Sequence, residues 1–178
     1  MIFITGGARS GKSSLAERLA REHGGRVTYI ATARAGDAEM GDRIAGHRRR
    51  RPREWQTVEA YDDLPGAVEA ALAGGGTVLV DCLTVYISNL LLSQGPGSGM
   101  RLEKLVDGEM ERLAGLCVSR SEGNGRVILV SNEVGMGIVP DNALARVFRD
   151  LAGRANQKLA AVADEVYLCV SGLPVRVK

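Results

Sequence analysis

The sequence predicts an α/β fold, a mainly parallel sheet with helices on both faces, on three observations. Short apolar runs alternate with longer segments of helical periodicity along all 178 residues. The runs Ile2–Thr5 and Val78–Val80 are apolar with little alternation, as in strands buried on both sides. Strands separated by helices need crossover connections, and crossovers make strands parallel.

Taken in order, Ile2–Thr5 is a strand stopped by Gly6-Gly7. Ser13–His23 is a helix, with Leu15, Leu19 and alanines on one face and Gly24-Gly25 at its end. His23 reads as a helix-end residue that hydrogen bonds to the last carbonyls. Val27–Ala31 is a second strand. Asp37 to about Arg51 is a helix that carries Met40, Ile44 and His47 on one face, and Pro52 ends it. Trp55–Glu59 alternates like a strand, and Pro65–Ala73 is a short helix closed by three glycines. Val78–Val80 is a buried strand ending at Asp81. Leu83–Leu92 follows as a helix, and the Gly/Ser/Pro-rich stretch Ser93–Gly99 as a loop. Glu103–Ser119 and Asn142–Ala163 are helices. Val127–Val130, Val166–Val170 and Val175–Val177 are the remaining strands.

Composition narrows the function classes. Hydrophobic residues are 45% and charged residues 25%, the balance of a globular chain rather than a disordered one. No apolar run reaches the ~18 residues of a membrane span. The first residues lack a basic region followed by an apolar one, so the expected location is cytoplasmic. Three cysteines without C-x-x-C spacing suggest buried thiols rather than disulfides or zinc. A net charge of +2 and only 4% aromatics argue against a nucleic-acid surface.

Ligands of such sheets bind beyond the carboxyl ends of the strands. There, Gly6-Gly7-Ala8-Arg9-Ser10-Gly11-Lys12-Ser13 fits G-x-x-x-x-G-K-[ST], between a strand and a helix, as the motif requires. Glycines let backbone N–H groups turn toward a phosphate, and the helix N-terminus adds unpaired donors. Lys12 then serves the β and γ phosphates and the Ser13 hydroxyl serves Mg²⁺. Chance gives roughly 0.006 such matches in a chain of this composition, so a P-loop NTPase fold is expected. With no repeat or low-complexity linker, residues 1–178 are expected to form a single nucleotide-binding catalytic domain. Asp81 at the end of its strand suits a second Mg²⁺ ligand, and equally a turn or helix cap.

His47-Arg48-Arg49-Arg50-Arg51-Pro52-Arg53 is the densest charge in the chain. It reads as a solvated helix end, a polynucleotide contact, or a clamp on nucleotide phosphates. His47 is either a half-buried structural residue or a nucleophile, since a neutral imidazole can attack phosphorus.

Further segments point to a family. They are the phosphate loop, Tyr29-Ile30-Ala31-Thr32, Glu39-Met40, Arg43-Ile44, His47-Arg48 and Arg51-Pro52. In the second half they are Asn132–Pro140, Asn142, Arg146, Phe148-Arg149-Asp150, Ala152-Gly153-Arg154 and Asn156-Gln157. Together they resemble the bifunctional adenosylcobinamide kinase / adenosylcobinamide-phosphate guanylyltransferase family, over the whole chain. The resemblance implies a RecA-like fold, a homotrimer, and two reactions. A nucleoside triphosphate (GTP or ATP) phosphorylates the aminopropanol hydroxyl of adenosylcobinamide. GTP then gives GMP to a histidine, and the GMP passes to adenosylcobinamide phosphate. His47 matches that histidine. Some relatives carry two adjacent histidines there, whereas Gly46 precedes His47 here. Carried over, the nucleotide site is Gly6–Ser13, Ala31, Thr32, Ala33, Arg48, Arg49, Arg50, Arg51, Glu59 and Asp81, with Ser13 and Asp81 on Mg²⁺ and His47 and Lys12 catalytic. Glu133, just beyond the Val127–Val130 strand, is either a general base for the kinase step or a hydrogen-bonding or interface residue. Other readings of the phosphate loop are a small-molecule kinase, a RecA-like nucleic-acid ATPase and a non-catalytic GTP-binding regulator.

Overall fold

The structure is a computed structural model and describes residues 1–36, 38–93, 99–119 and 125–178. The side chains of residues 39, 40, 43, 50, 99, 100 and 119 are outside that description. The expected loop over 93–99 and the helix start at Asp37 therefore lie largely outside the described residues.

Among the described residues, one sheet of seven strands runs in the order β3-β2-β4-β5-β1-β6-β7. The strands are β1 (Ile2–Gly6), β2 (Val27–Ala31), β3 (Gln56–Glu59), β4 (Gly76–Asp81), β5 (Gly125–Val130), β6 (Glu165–Val170) and β7 (Leu173–Arg176). The helices are α1 (Lys12–His23), α2 (Ala38–Arg50), α3 (Leu64–Ala73), α4 (Leu83–Ser93), α5 (Gly99–Ser119) and α6 (Ala143–Val162). All pairings are parallel except β6 with β7. That exception is a hairpin around Ser171 and Gly172, both at positive φ (51° and 84°), the geometry of a tight turn matched to strand twist.

Alternation along the strands divides the core in two. Phe3, Val78, Val80, Val127 and Leu129 point to the face covered by α3, α4, α5 and α6. Ile2, Ile4, Tyr29, Leu79, Ile128 and Val130 point to the face covered by α1. Helices on both faces are what strands without polar alternation require. On α5, Leu102, Val106, Met110, Leu113 and Cys117 recur at helical spacing and are buried. The three cysteines are free and buried.

Several expectations shift in detail: α5 begins at Gly99 rather than Glu103, β5 at Gly125 rather than Val127, and β7 spans Leu173–Arg176 rather than Val175–Val177. β4 begins at Gly76 rather than Val78, because Gly76 pairs in register with Gly125 and Thr77 N–H donates to the Arg26 carbonyl at 2.8 Å. The His23 Nε2 lies 2.8 Å from Arg126 Nη1 on β5, so its partner is a cross-fold guanidinium rather than its own helix end. Burial and that cation hold the His23 pKa below its ordinary value.

Candidate functional site

β1 leads into the loop Gly6–Ser13, and α1 begins inside it at Lys12. The loop is tied to the sheet on both sides. Gly6 C=O accepts from Glu133 N–H at 2.9 Å, and Ser10 C=O accepts from Gly172 N–H at 3.0 Å. Gly6 has φ 149°, and a Cβ there would stand 2.4 Å from the Cys169 carbonyl oxygen, so only glycine fits. The Lys12 ammonium is buried and donates to Gly7 C=O at 2.5 Å and to Ser10 Oγ at 3.3 Å. Burial lowers its pKa from the ordinary lysine value, and the neighbouring Cys82 and Asp81 oppose that shift.

This loop forms one wall of a cavity of about 760 Å³. Ala8, Arg9, Ser10, Gly11, Lys12 and Ser13 supply that wall, and Ala31 and Ala33 supply another. His47, Arg48 and Arg51 line the same cavity, with Glu59 and Asp81. The residues singled out from sequence thus converge on one space. Gly6 and Gly7 shape the loop from outside the cavity lining, and Arg49 is exposed away from it. Arg50's side chain lies outside the described residues.

Thr32 has a different place from its neighbours. It is fully buried and does not line the cavity. Its hydroxyl donates to Cys82 C=O at 2.8 Å and accepts from Cys82 N–H at 2.9 Å. It brackets the residue after Asp81 and so fixes where that carboxylate stands. Glu133 does not line the cavity either, and its carboxylate accepts from Gly135 N–H at 2.6 Å.

The arginine run divides. Arg48 forms an ion pair with Glu59 at 2.6 Å. Arg51 lies over the Tyr29 ring, 3.2 Å from its centroid. Its Nε and Nη1 are buried and have no hydrogen-bond acceptor among the described residues. A buried guanidinium with unmet donors is costly unless an anion meets it. The same Tyr29 donates its hydroxyl to Asp81 Oδ2 at 2.8 Å. Burial, with the Asp81 charge, pushes the Tyr29 pKa well above the ordinary phenol range, so it remains a donor. His47 Nδ1 stands 3.9 Å from the same Asp81 oxygen, and Ile44 lines the cavity beside it. The shared face of Ile44 and His47 is therefore the cavity face. Burial pushes the Cys82 thiol up to about 11.

Tyr61 and Val85 also line this space and were not singled out from sequence, whereas Tyr29 and Asn132, which line it too, stand in the segments that carry the family resemblance. One signal was present for Tyr29, since a tyrosine in a buried strand needs a partner for its hydroxyl.

Magnesium fits the donor set. The Ser13 hydroxyl and the Asp81 carboxylate are hard oxygens on one cavity. No group of three or more His, Cys, Asp or Glu side chains among the described residues could hold a metal. No helix among the described residues is long and apolar enough to cross a membrane.

Comparison with known proteins agrees with this geometry. A family model described as cobinamide kinase / cobinamide phosphate guanyltransferase matches residues 2–177. The chain is 45% identical over 184 residues to the bifunctional adenosylcobalamin biosynthesis protein CobU of Salmonella typhimurium, covering 100% of this chain and 99% of that protein. It is 44% identical to the Escherichia coli protein of the same name, with the same coverage. It is 49% identical over 176 residues to the bifunctional adenosylcobalamin biosynthesis protein CobP of Pseudomonas aeruginosa, covering 99% of this chain and 96% of that protein. With this likeness from end to end, and with a glycine-rich loop, an acid-tipped strand and a histidine–arginine helix around one cavity, the chain belongs to the cobinamide kinase / cobinamide phosphate guanyltransferase family.

Proposed function

We propose that residues 1–178 act as one catalytic domain that performs both reactions of its family. The first is phosphorylation of the aminopropanol hydroxyl of adenosylcobinamide by GTP or ATP. The second is transfer of GMP from GTP, through His47, to adenosylcobinamide phosphate. The observation that carries this reading is the shared cavity, with His47 and Arg51 on one side and the Gly6–Ser13 loop on the other.

In the kinase step, the loop N–H groups and Lys12 hold the β and γ phosphates of the donor. The Lys12 ammonium already sits among loop oxygens, so a phosphate exchanges weak neutral partners for charged ones. In the transfer step, His47 attacks the α-phosphorus, an N–P bond forms, and the bond to pyrophosphate breaks. Asp81 near Nδ1 favours the proton on that nitrogen, which leaves Nε2 to attack. Arg51 offers its unmet donors to the charge that develops on the phosphates. The acceptor phosphate then attacks phosphorus and releases His47. Ser13 and Asp81 would hold Mg²⁺, which neutralises phosphate charge when bound.

A cytoplasmic homotrimer is part of the same proposal. Exposed apolar side chains support an interface between copies, with Met136 80% and Ile138 97% accessible in the segment before α6. Division of the arginine run between an ion pair and the phosphate cavity favours a mononucleotide over a polynucleotide.

The test is incubation with α-labelled GTP. A protein-bound, acid-labile, base-stable label is expected. His47→Ala abolishes it and retains kinase activity, while Lys12→Ala damages both reactions by at least about a hundredfold. Equal labelling of His47→Ala refutes the assignment.

A further inference from the structure

A second cavity, of about 610 Å³, adjoins the nucleotide cavity. The two share Ala33, Val85 and Asn132 in their walls. We infer that this second cavity receives the reactive arm of the acceptor, an alcohol in one reaction and a phosphate monoester in the other, borne on a bulky group that stays outside. The inference rests on the proposed two-reaction function.

Position supports this occupant. The Gly6–Ser13 loop hangs from β1, and the β6–β7 turn packs against its far side through Gly172. The second cavity lies on the opposite side, toward α4 and the ends of β2 and β5. An acceptor coming from there meets the nucleotide across Asp81 and Asn132, on the flank where the metal-facing phosphates are placed. In-line transfer needs the acceptor on the side away from the leaving group.

Chemistry supports it as well. The inner wall is apolar, with Val134 and Phe148, and suits a short carbon arm. A cavity of this size encloses a ligand of ordinary drug size, and so an arm rather than a macrocycle. Asn132 marks the junction. Its Nδ2 donates to Thr84 Oγ1 at 2.8 Å, which holds the side-chain amide, and its main-chain carbonyl accepts from Asn156 Nδ2 at 3.1 Å, which holds the backbone. Among the described residues its lining carries one cation, Arg34, which pairs with Asp62 and lies over the Tyr61 ring at 4.7 Å. A guanidinium there suits a phosphate-terminated arm and adds little for a neutral alcohol.

Two substitutions test this. Ser88, on α4, lines this cavity and not the nucleotide cavity. Ser88→Phe should raise the KM for adenosylcobinamide and for adenosylcobinamide phosphate by about tenfold or more, equivalent to ~1.4 kcal/mol. The KM for GTP and the labelling of His47 by α-labelled GTP without acceptor should change less than about twofold. Arg34→Gln, at an exposed position, should raise the KM for the phosphate acceptor several-fold more than that for the alcohol. A rise in the GTP KM, or lost labelling with unchanged acceptor KM, assigns the cavity to the base and overturns the inference. Unchanged kinetics in both variants overturn it too. If the unsubstituted protein takes no label, the His47 reading fails alone. The cavity assignment then stands or falls on the kinase KM.

Discussion

Thr32→Val removes the bracket that fixes Cys82 and, through it, Asp81. The substitution keeps the side-chain shape and deletes one hydroxyl in a fully buried position. Two hydrogen bonds go with it, at 2.8 and 2.9 Å. The Cys82 carbonyl retains Tyr86 N–H at 3.3 Å, but the Cys82 N–H has no second acceptor among the described residues. The lost bonds are worth about 1 kcal/mol each, and an orphaned buried donor costs about 1–3 kcal/mol. The expected loss, about 2–4 kcal/mol, is a large part of the ~5–15 kcal/mol that stabilises a folded domain. At about 2–4 °C per kcal/mol for a chain of this size, the melting temperature should fall by about 4–16 °C. Thr32→Ser supplies the comparison, since it keeps the hydroxyl and loses one methyl, about 1 kcal/mol. Urea and thermal unfolding, with kcat for both reactions, read the result. Thr32→Val should lose stability and turnover together, and Thr32→Ser should retain most of both. Should the two variants match in stability and in kcat, the bracket has no role and the reasoning fails.

Three other outcomes follow from the geometry. Gly6→Ala should abolish nucleotide binding or lower stability by about 3 kcal/mol or more, because the φ region is closed to alanine and its Cβ meets a backbone carbonyl; a variant that binds GTP normally in calorimetry contradicts this. Tyr29→Phe keeps the ring beneath Arg51 and removes the donor to Asp81, so kcat should fall about tenfold with a smaller change in nucleotide KM; an unaltered kcat sinks that role. With Cys82 and Cys117 both raised to about 11 by burial and Cys169 also buried, the native protein should take up almost no thiol reagent at pH 8, against three equivalents in denaturant.

Much of this arrangement can be read before any coordinates. The phosphate loop is legible because its chemistry fixes residue types at fixed offsets within one short segment. Asp81 is legible because strand ends face the ligand in such sheets. The Arg51–Tyr29–Asp81 chain is not legible, because it depends on β2 and β4 pairing so that Ala31 stands opposite Asp81. Nothing local encodes that register. Thr32 follows β2 and looks like a site residue, yet its small hydroxyl serves the backbone of the next strand's end. The antiparallel β7 was within reach, since Ser171-Gly172 is a turn dipeptide between two short apolar runs.

The placement of β5 between β1 and β4 has a further consequence. Neighbouring strands stand about 4.8 Å apart, so the roots of the phosphate loop and of Asp81 are held about 9.6 Å from each other. With one strand interposed, the proposed function would set a row of phosphoryl groups and a hydrated divalent ion side by side within that span. The width of the cavity between them is thereby set by backbone spacing, which no side-chain substitution can easily alter.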